Sequence, residues 1–176
     1  DKIIIDENKI KNLNHGDNLA GDVTQEFVLE NDIMKSTGWG NFLGKLVYEW
    51  VKIETGKKIT KFTIQKSWIV RQFKNEYNPI HYHTGDISGV GYLKVPNNMG
   101  ETLQKNKKVN HNGKLILIDG SKKLFCSPTY AITPRVGDFY LFPSYLMHSV
   151  YPFFNTEEER RSVSFNAKID EVASML

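Results

Sequence analysis

Cysteine is almost missing from this chain: Cys126 is the single one among 176 residues. One thiol cannot close an intrachain disulfide, and neither a Cys-rich zinc site nor an iron–sulfur cluster can form. A reducing cytoplasm is the expected setting. No run of about 18 apolar residues occurs, so no bilayer-spanning helix is expected, and the opening DKIIIDENKI lacks the apolar core of a signal peptide. Repeats, low-complexity tracts and Gly/Ser/Pro-rich linkers are also absent. One domain over residues 1–176 is therefore expected, with N-terminal strands and a supporting helix over 1–58 and a barrel core over 59–170. A net charge of +3 is too weak to argue by itself for nucleic acid.

What is present is an ordinary globular balance, with 40% hydrophobic and 24% charged residues, which excludes disorder as the main state. A first strand is expected near Lys2 to Ile5 and a second near Val23 to Leu29. Over residues 42–53, Phe42, Leu43, Leu46, Val47, Trp50 and Val51 fall at helical spacing, one apolar stripe suited to packing on a sheet. From Lys61 the period changes. In KFTIQKSWIVRQF, Phe62, Ile64, Trp68 and Val70 alternate with polar neighbours, although Ile69 and Phe73 blur the pattern. Short strands are expected at about 88–95, 114–119, 129–133, 138–142, 147–151 and 160–169, separated by turn signals such as PNNMG, DGSKK and TPRVGD. One helical region followed by many short strands predicts a mainly β barrel or double-sheet jelly roll with flanking helices.

The stretch NPIHYHTGDISGVGYLKVP, residues 78–96, carries the first chemistry. In an extended strand, side chains at i and i+2 share a face, so His81 and His83 can reach one ion together. The spacing permits chelation without demanding it, since a hydrogen-bonded core or surface histidine fits it equally well. Of the other histidines, His15 and His111 sit in polar, turn-like segments and are expected to face solvent. His148 differs: a tight VGD turn, the FYLF strand and a short connection from Pro143 hand it to the start of a strand on the far side of a barrel.

The segment ERRSVSFNAKI alternates with period two, setting Arg160, Ser162, Ser164 and Asn166 on one face and Arg161, Val163 and Phe165 on the other. If Val163 and Phe165 pack outward under a helix or a second sheet, the face with Arg160 and Ser162 points into the barrel. A buried guanidinium there needs an anion. Arg161 is expected on the outer face, paired with Glu157 or Glu158.

In their order along the chain, NPIHYHTGDISGVGYLKVP, GDFYLFPSYLMHSVYPF and ERRSVSFN together resemble the Fe(II)- and 2-oxoglutarate-dependent oxygenases, in particular a bacterial and phage subgroup related to prolyl hydroxylases. The resemblance implies a double-stranded β-helix, the jelly-roll barrel shared with cupins, and an enzyme that couples 2-oxoglutarate decarboxylation to oxidation of a substrate C–H bond. It implies Fe(II), 2-oxoglutarate and O2 as requirements, with ascorbate as a possible support. Arg160 and Ser162 look like the clamp for the distal carboxylate of 2-oxoglutarate, and Tyr92 resembles a tyrosine whose hydroxyl reaches the same group. Ser88, on the face of Tyr92, is expected inward. The usual iron triad of that family is His-x-Asp or His-x-Glu with a distant His, and here His83 stands at the carboxylate position. Two sets follow: His81, His83 and His148, which is favoured, or a set in which Asp86 replaces His83. Asp86 also suits a plain turn residue after Gly85. The same resemblance suggests the cytoplasm of a bacterium or of a phage-infected host.

Two other classes fit parts of the pattern. A cupin-type dioxygenase or isomerase uses H-x-H and a distant His without 2-oxoglutarate, but has no need of Arg160 and Ser162; a non-catalytic jelly-roll binding module leaves the histidines incidental. The substrate is not legible: a prolyl residue of a protein or a small molecule is favoured, and no membrane partner is expected. Lys94, Lys105, Lys107, Lys108, Lys114, Lys122 and Lys123 form a basic stretch that reads either as a solvated loop or as a lid attracting an acidic substrate or nucleic acid. Nucleic acid is the weaker partner, because no aromatic stands between residues 93 and 124 for bases to stack on.

Overall fold

The computed structural model describes residues 14, 16, 19–121 and 124–170. The expected strand near Lys2 to Ile5 lies outside them, as does His15. Nine strands and two helices follow: β1 (Gln25–Val28), α1 (Asn31–Ser36), α2 (Trp39–Thr55), β2 (Phe62–Gln72), β3 (Asn78–His81), β4 (Ile87–Lys94), β5 (Leu115–Ile118), β6 (Thr129–Ile132), β7 (Phe139–Pro143), β8 (Met147–Val150) and β9 (Arg160–Ile169). They form two antiparallel sheets, a major one in the order β1-β2-β9-β4-β7 and a minor one in the order β3-β8-β5-β6. This is a double-stranded β-helix with helices on its outside.

The helix begins at Trp39, earlier than its apolar stripe, and ends at Gly56, whose φ of 70° is a left-handed cap that accepts glycine readily. Leu43, Val47 and Val51 are its buried edge, and they pack on Ile59, Ile87, Phe165 and Ala167. A second cluster sets Leu29, Ile69 and Val163 under Ile33, Met34 and Trp39. Burying each such side chain stabilises the fold by roughly 1.5–3 kcal/mol. Both clusters cover the outer face of the major sheet, so residues at the alternate positions face inward.

The blurred alternation in β2 has a physical cause. A register shift between Ile64 and Lys66 reverses the faces. Phe62 and Ile64 therefore pack under α2, whereas Trp68 and Val70 line the interior and Ile69 belongs to the outer cluster. On β4, Gly89 and Gly91 take outer positions where a Cβ would collide with the rings of Phe165 and Phe139. Their absence of side chains lets Phe139 and Phe165 stack at 6.2 Å beneath α2.

The two ends of the barrel differ. At the end where β9 begins, Gln72, Phe153, Glu159 and Arg160 are buried, and the connection from β4 to β5 is tied down by Phe154 N–H donating to Met99 O (3.1 Å), Gly113 N–H to Pro152 O (3.0 Å) and Asn97 N–H to a Glu158 carboxylate oxygen (2.8 Å). At the opposite end, Tyr82, Phe125, Tyr130 and Tyr145 stand exposed. The basic stretch from Lys94 to Lys114 thus seals the closed end and is no lid over the mouth. Lys122 and Lys123 lie outside the described residues.

Replacing Gly91 with Ala should lower stability by about 1–3 kcal/mol, as overpacking does. Chemical denaturation should show a lower midpoint with an unchanged slope.

Candidate metal centre and co-substrate clamp

His81 ends β3 and pairs in register with His148 on β8, which puts their side chains on one face. His83 lies just past β3, and its N–H donates to Ser144 O at 2.9 Å. The segment that follows is fixed at Gly85 and Asp86. Gly85 has a φ of 103° and approaches the Ala167 carbonyl too closely for a side chain, and Asp86 N–H donates to that carbonyl at 2.9 Å. The 143–146 connection is held from below, where Ser88 shares hydrogen bonds of 2.9 Å with Ser144 and Asn166. Ser88 is inward, as read from the sequence, and its role there is to anchor that connection.

Candidate ligand atoms of His81, His83 and His148 all lie within 4.8 Å of one another, the one such cluster among the described residues. Ring centroids are 4.2 Å apart for His81 and His148, and 4.9 Å for each pair that includes His83. Nδ1 of His81 lies 2.7 Å from Pro79 O, and Nδ1 of His148 lies 2.9 Å from Leu146 O. A carbonyl only accepts, so both Nδ1 atoms carry hydrogen and both Nε2 lone pairs are left for a metal. His83 is walled by Trp68 at 5.5 Å, edge to face, and His148 by Phe142 at 4.9 Å. Neither aromatic was singled out as a site residue from the sequence; both sit on inward positions of alternating strands, which was the available signal.

Burial lowers all three imidazoles, that of His83 to about 3 and that of His148 to about 4, with the neighbouring rings pushing His83 further down. The cluster is uncharged at neutral pH and needs to shed no proton to bind a cation. Asp86 is elsewhere engaged: its carboxylate accepts from Ile169 N–H at 2.9 Å. The geometry thus gathers His81, His83 and His148 and leaves Asp86 as the turn residue that ties β4 to the end of β9.

Arg160, Ser162 and Tyr92 meet in the same interior cavity as the three histidines. Tyr92 and Ser162 are register partners on β4 and β9. The Arg160 guanidinium, 2% exposed, stands 4.9 Å from the Tyr92 ring centroid, and one of its terminal nitrogens donates to Gln72 Oε1 at 3.1 Å. Its Nε and the Tyr92 hydroxyl have no hydrogen-bond partner. Burial pushes the guanidinium down and the phenol up, each partly offset by the other. Gln72 is a residue that sequence reading missed. Its Nε2 donates to the carbonyls of Glu76 and Tyr151, fixing the oxygen that meets Arg160.

Arg161 faces outward, as alternation requires, and pairs with Glu159, which also binds Arg71 Nε at 2.6 Å. Of the two glutamates expected beside it, Glu157 pairs with Lys74 and Glu158 accepts from Asn97. His111 is half-buried rather than solvent-facing, its ring 5.6 Å from Tyr151.

A family model described as "Putative 2OG-Fe(II) oxygenase" matches residues 66–166, and the chain belongs to that family. No curated protein matches the chain. Among solved structures, the viral collagen prolyl hydroxylase of Paramecium Bursaria Chlorella virus-1, in complex with 2OG, shares 14% identity over 81% of this chain and 77% of its own, with a TM-score of 0.52. A Pseudomonas putida prolyl-4-hydroxylase shares 15% over 81% and 71%, with a TM-score of 0.51. An oxidoreductase of the 2OG-Fe(II) oxygenase family from Burkholderia pseudomallei shares 14%, with a TM-score of 0.50; 68% of this chain aligns and spans half of that chain. These likenesses establish the barrel. No helix among the described residues is long and apolar enough to cross a membrane.

Metal affinity should persist to lower pH than ordinary imidazoles allow, since burial lowers all three rings, and should be lost as pH drops through about 4, where His148 and then His83 take up protons. An ordinary imidazole cluster would begin to lose metal near pH 6.5. Calorimetric titration with Co(II) across this range reads the difference. His83→Ala should lower that affinity by at least tenfold, whereas Asp86→Ala should lower fold stability and leave Co(II) affinity within about threefold; the reverse pattern would assign the ligand to Asp86.

Proposed function

We propose that the protein is an Fe(II)- and 2-oxoglutarate-dependent hydroxylase, with iron held by His81, His83 and His148. The observation that carries this reading is the buried Arg160, whose Nε, like the nearby Tyr92 hydroxyl, lacks a partner inside the cavity that holds three uncharged imidazoles. Facial nitrogen ligation with remaining open positions suits non-haem Fe(II). A carboxylate acceptor suits the orphaned donors. When bound together, iron and 2-oxoglutarate supply O2-dependent oxidation of a substrate C–H bond while the co-substrate loses CO2.

The chain's own part is positioning. Arg160 grips the distal carboxylate by charge-assisted hydrogen bonds, with Ser162 and the Tyr92 hydroxyl as further donors. Gln72 keeps the guanidinium aimed. Trp68 and Phe142 exclude water from the imidazole faces, and the open end, with Tyr82, Tyr130 and Tyr145, admits the substrate. A prolyl residue or a compact aliphatic small molecule suits an entrance with these aromatic side chains, and two of the structurally similar proteins are prolyl hydroxylases. A reducing cytoplasm, which keeps iron ferrous, is the setting this reading favours, and ascorbate would support turnover by returning oxidised iron to that state. A cupin-type activity without 2-oxoglutarate gives no account of Arg160.

Succinate formation, followed by NMR with Fe(II) and ascorbate, should proceed slowly without added substrate. Arg160→Ala should weaken 2-oxoglutarate binding at least tenfold, about 1.4 kcal/mol, with metal retained. Arg160→Lys should recover part of the loss, because a point charge lacks the planar fork. Arg161→Ala should lower stability through Glu159 and leave 2-oxoglutarate affinity unchanged. Iron-replete protein that neither binds 2-oxoglutarate nor forms succinate would overturn the reading.

A further inference from the structure

Three polar side chains are buried together outside the clamp and the candidate ligand set. Ser88 on β4, Asn166 on β9 and Ser144 just past β7 are each no more than 8% exposed, and Ser88 and Asn166 are register partners. Ser88 Oγ lies 2.9 Å from both Ser144 Oγ and Asn166 Oδ1. A hydroxyl has one hydrogen to give, and an amide oxygen only accepts. Ser88 therefore donates to Asn166, and Ser144 donates to Ser88. The relay has one direction, from the 143–146 connection to β9, and a buried network whose members are all paired is stiff.

The main chain of Ser144 faces the histidines. Its carbonyl accepts from His83 N–H at 2.9 Å, and its own N–H donates to Asp86 O at 3.0 Å. His83 is the candidate ligand that stands outside a strand, whereas His81 and His148 are held by the pairing of β3, β8 and β5. His148 also meets the same connection, through Leu146 O at its Nδ1, but the ladder on both sides of β8 fixes its backbone. Beyond His83, Asp86 N–H donates to Ala167 O on β9 at 2.9 Å. Both flanks of His83 are therefore referred to β9, the strand that also carries Arg160 and Ser162.

We propose that Asn166 and Ser88 are positioning residues for the metal centre: the relay holds the Ser144 carbonyl where it sets His83 against His81 and His148. The inference rests on the reading of His83 as a metal ligand. Its functional consequence is a fixed separation. One strand sets both the third ligand and the guanidinium of the clamp, and a co-substrate that reaches from the metal to Arg160 needs that span held constant.

The test is a double-mutant cycle on Co(II) affinity in the full chain, measured by calorimetry, with the visible spectrum of bound cobalt as a second signal. Asn166→Ala should weaken Co(II) about tenfold, the scale of losing an outer partner of a ligand, and should move the cobalt spectrum toward that of His83→Ala. In the His83→Ala background the same change should alter Co(II) affinity by no more than about twofold, because the ligand it positions is already gone. Should Asn166→Ala fail to fold, Ser144→Ala removes the donor at the other end of the relay at the loss of a single oxygen, and the same cycle applies. An equal loss in both backgrounds would mark the network as general support of the fold and overturn this inference alone, as would unchanged affinity and spectrum in both relay variants. Wild-type Co(II) affinity that His83→Ala leaves untouched instead overturns the ligand assignment beneath it, and the inference with it.

Discussion

The packing of β9 under α2 is the contact from which the rest of the site follows. Val163, Phe165 and Ala167 are buried on the outer side, against the helix and its flanking residues. A strand has only two faces, so fixing these three outward drives Arg160, Ser162, Ser164 and Asn166 inward. The apolar contacts are what hold a guanidinium inside the barrel, where by itself it would not go. A one-residue slip would send Arg160 to the surface and Arg161 inside. The Arg71–Glu159–Arg161 group on the outer side also opposes that slip, because it would lose its own pairing.

The two halves of the site are then built by different means. The clamp is made by register within the major sheet, where Tyr92 lies opposite Ser162 and Gln72 opposite Arg160. The candidate metal ligands come from the minor sheet, where His81 lies opposite His148. His83 is placed by a hydrogen bond across to Ser144 rather than by strand pairing. The backbone carbonyls of Pro79 and Leu146 choose the tautomer of two of the rings, so backbone geometry and side-chain chemistry meet at those two atoms. Desolvation works in the same direction at all three, since the environment that lowers an imidazole's proton affinity keeps its lone pair available for a cation.

Neutral imidazoles line the candidate metal position, and among the described lining residues the charged side chain is the Arg160 guanidinium. A buried guanidinium without an anion is costly to the protein, which is the physical reason the proposed co-substrate is an anion.

The sequence by itself determined a good deal, and the reason is periodicity. Alternation in ERRSVSFNAKI fixed the faces of β9, H-x-H allowed a shared face for His81 and His83, and helical spacing placed α2 over the sheet. Each of these is a local rule of backbone geometry. Tertiary structure decided what depends on distant partners. The bulge after Ile64 reverses the faces of β2, and no local pattern announces it. The sequence favours His83 over Asp86 and leaves both open, and it is the Ile169 N–H, far along the chain, that engages the Asp86 carboxylate. Arg161 pairs with Glu159, and Arg71 on β2, far along the chain, completes the group there. The basic stretch closes the far end of the barrel through hydrogen bonds with the segment after β8, Met99 O accepting from Phe154 N–H and Gly113 N–H donating to Pro152 O, which no charge count reveals. In each case the outcome rests on a contact between residues far apart in the chain, and such contacts exist only once the two sheets have closed.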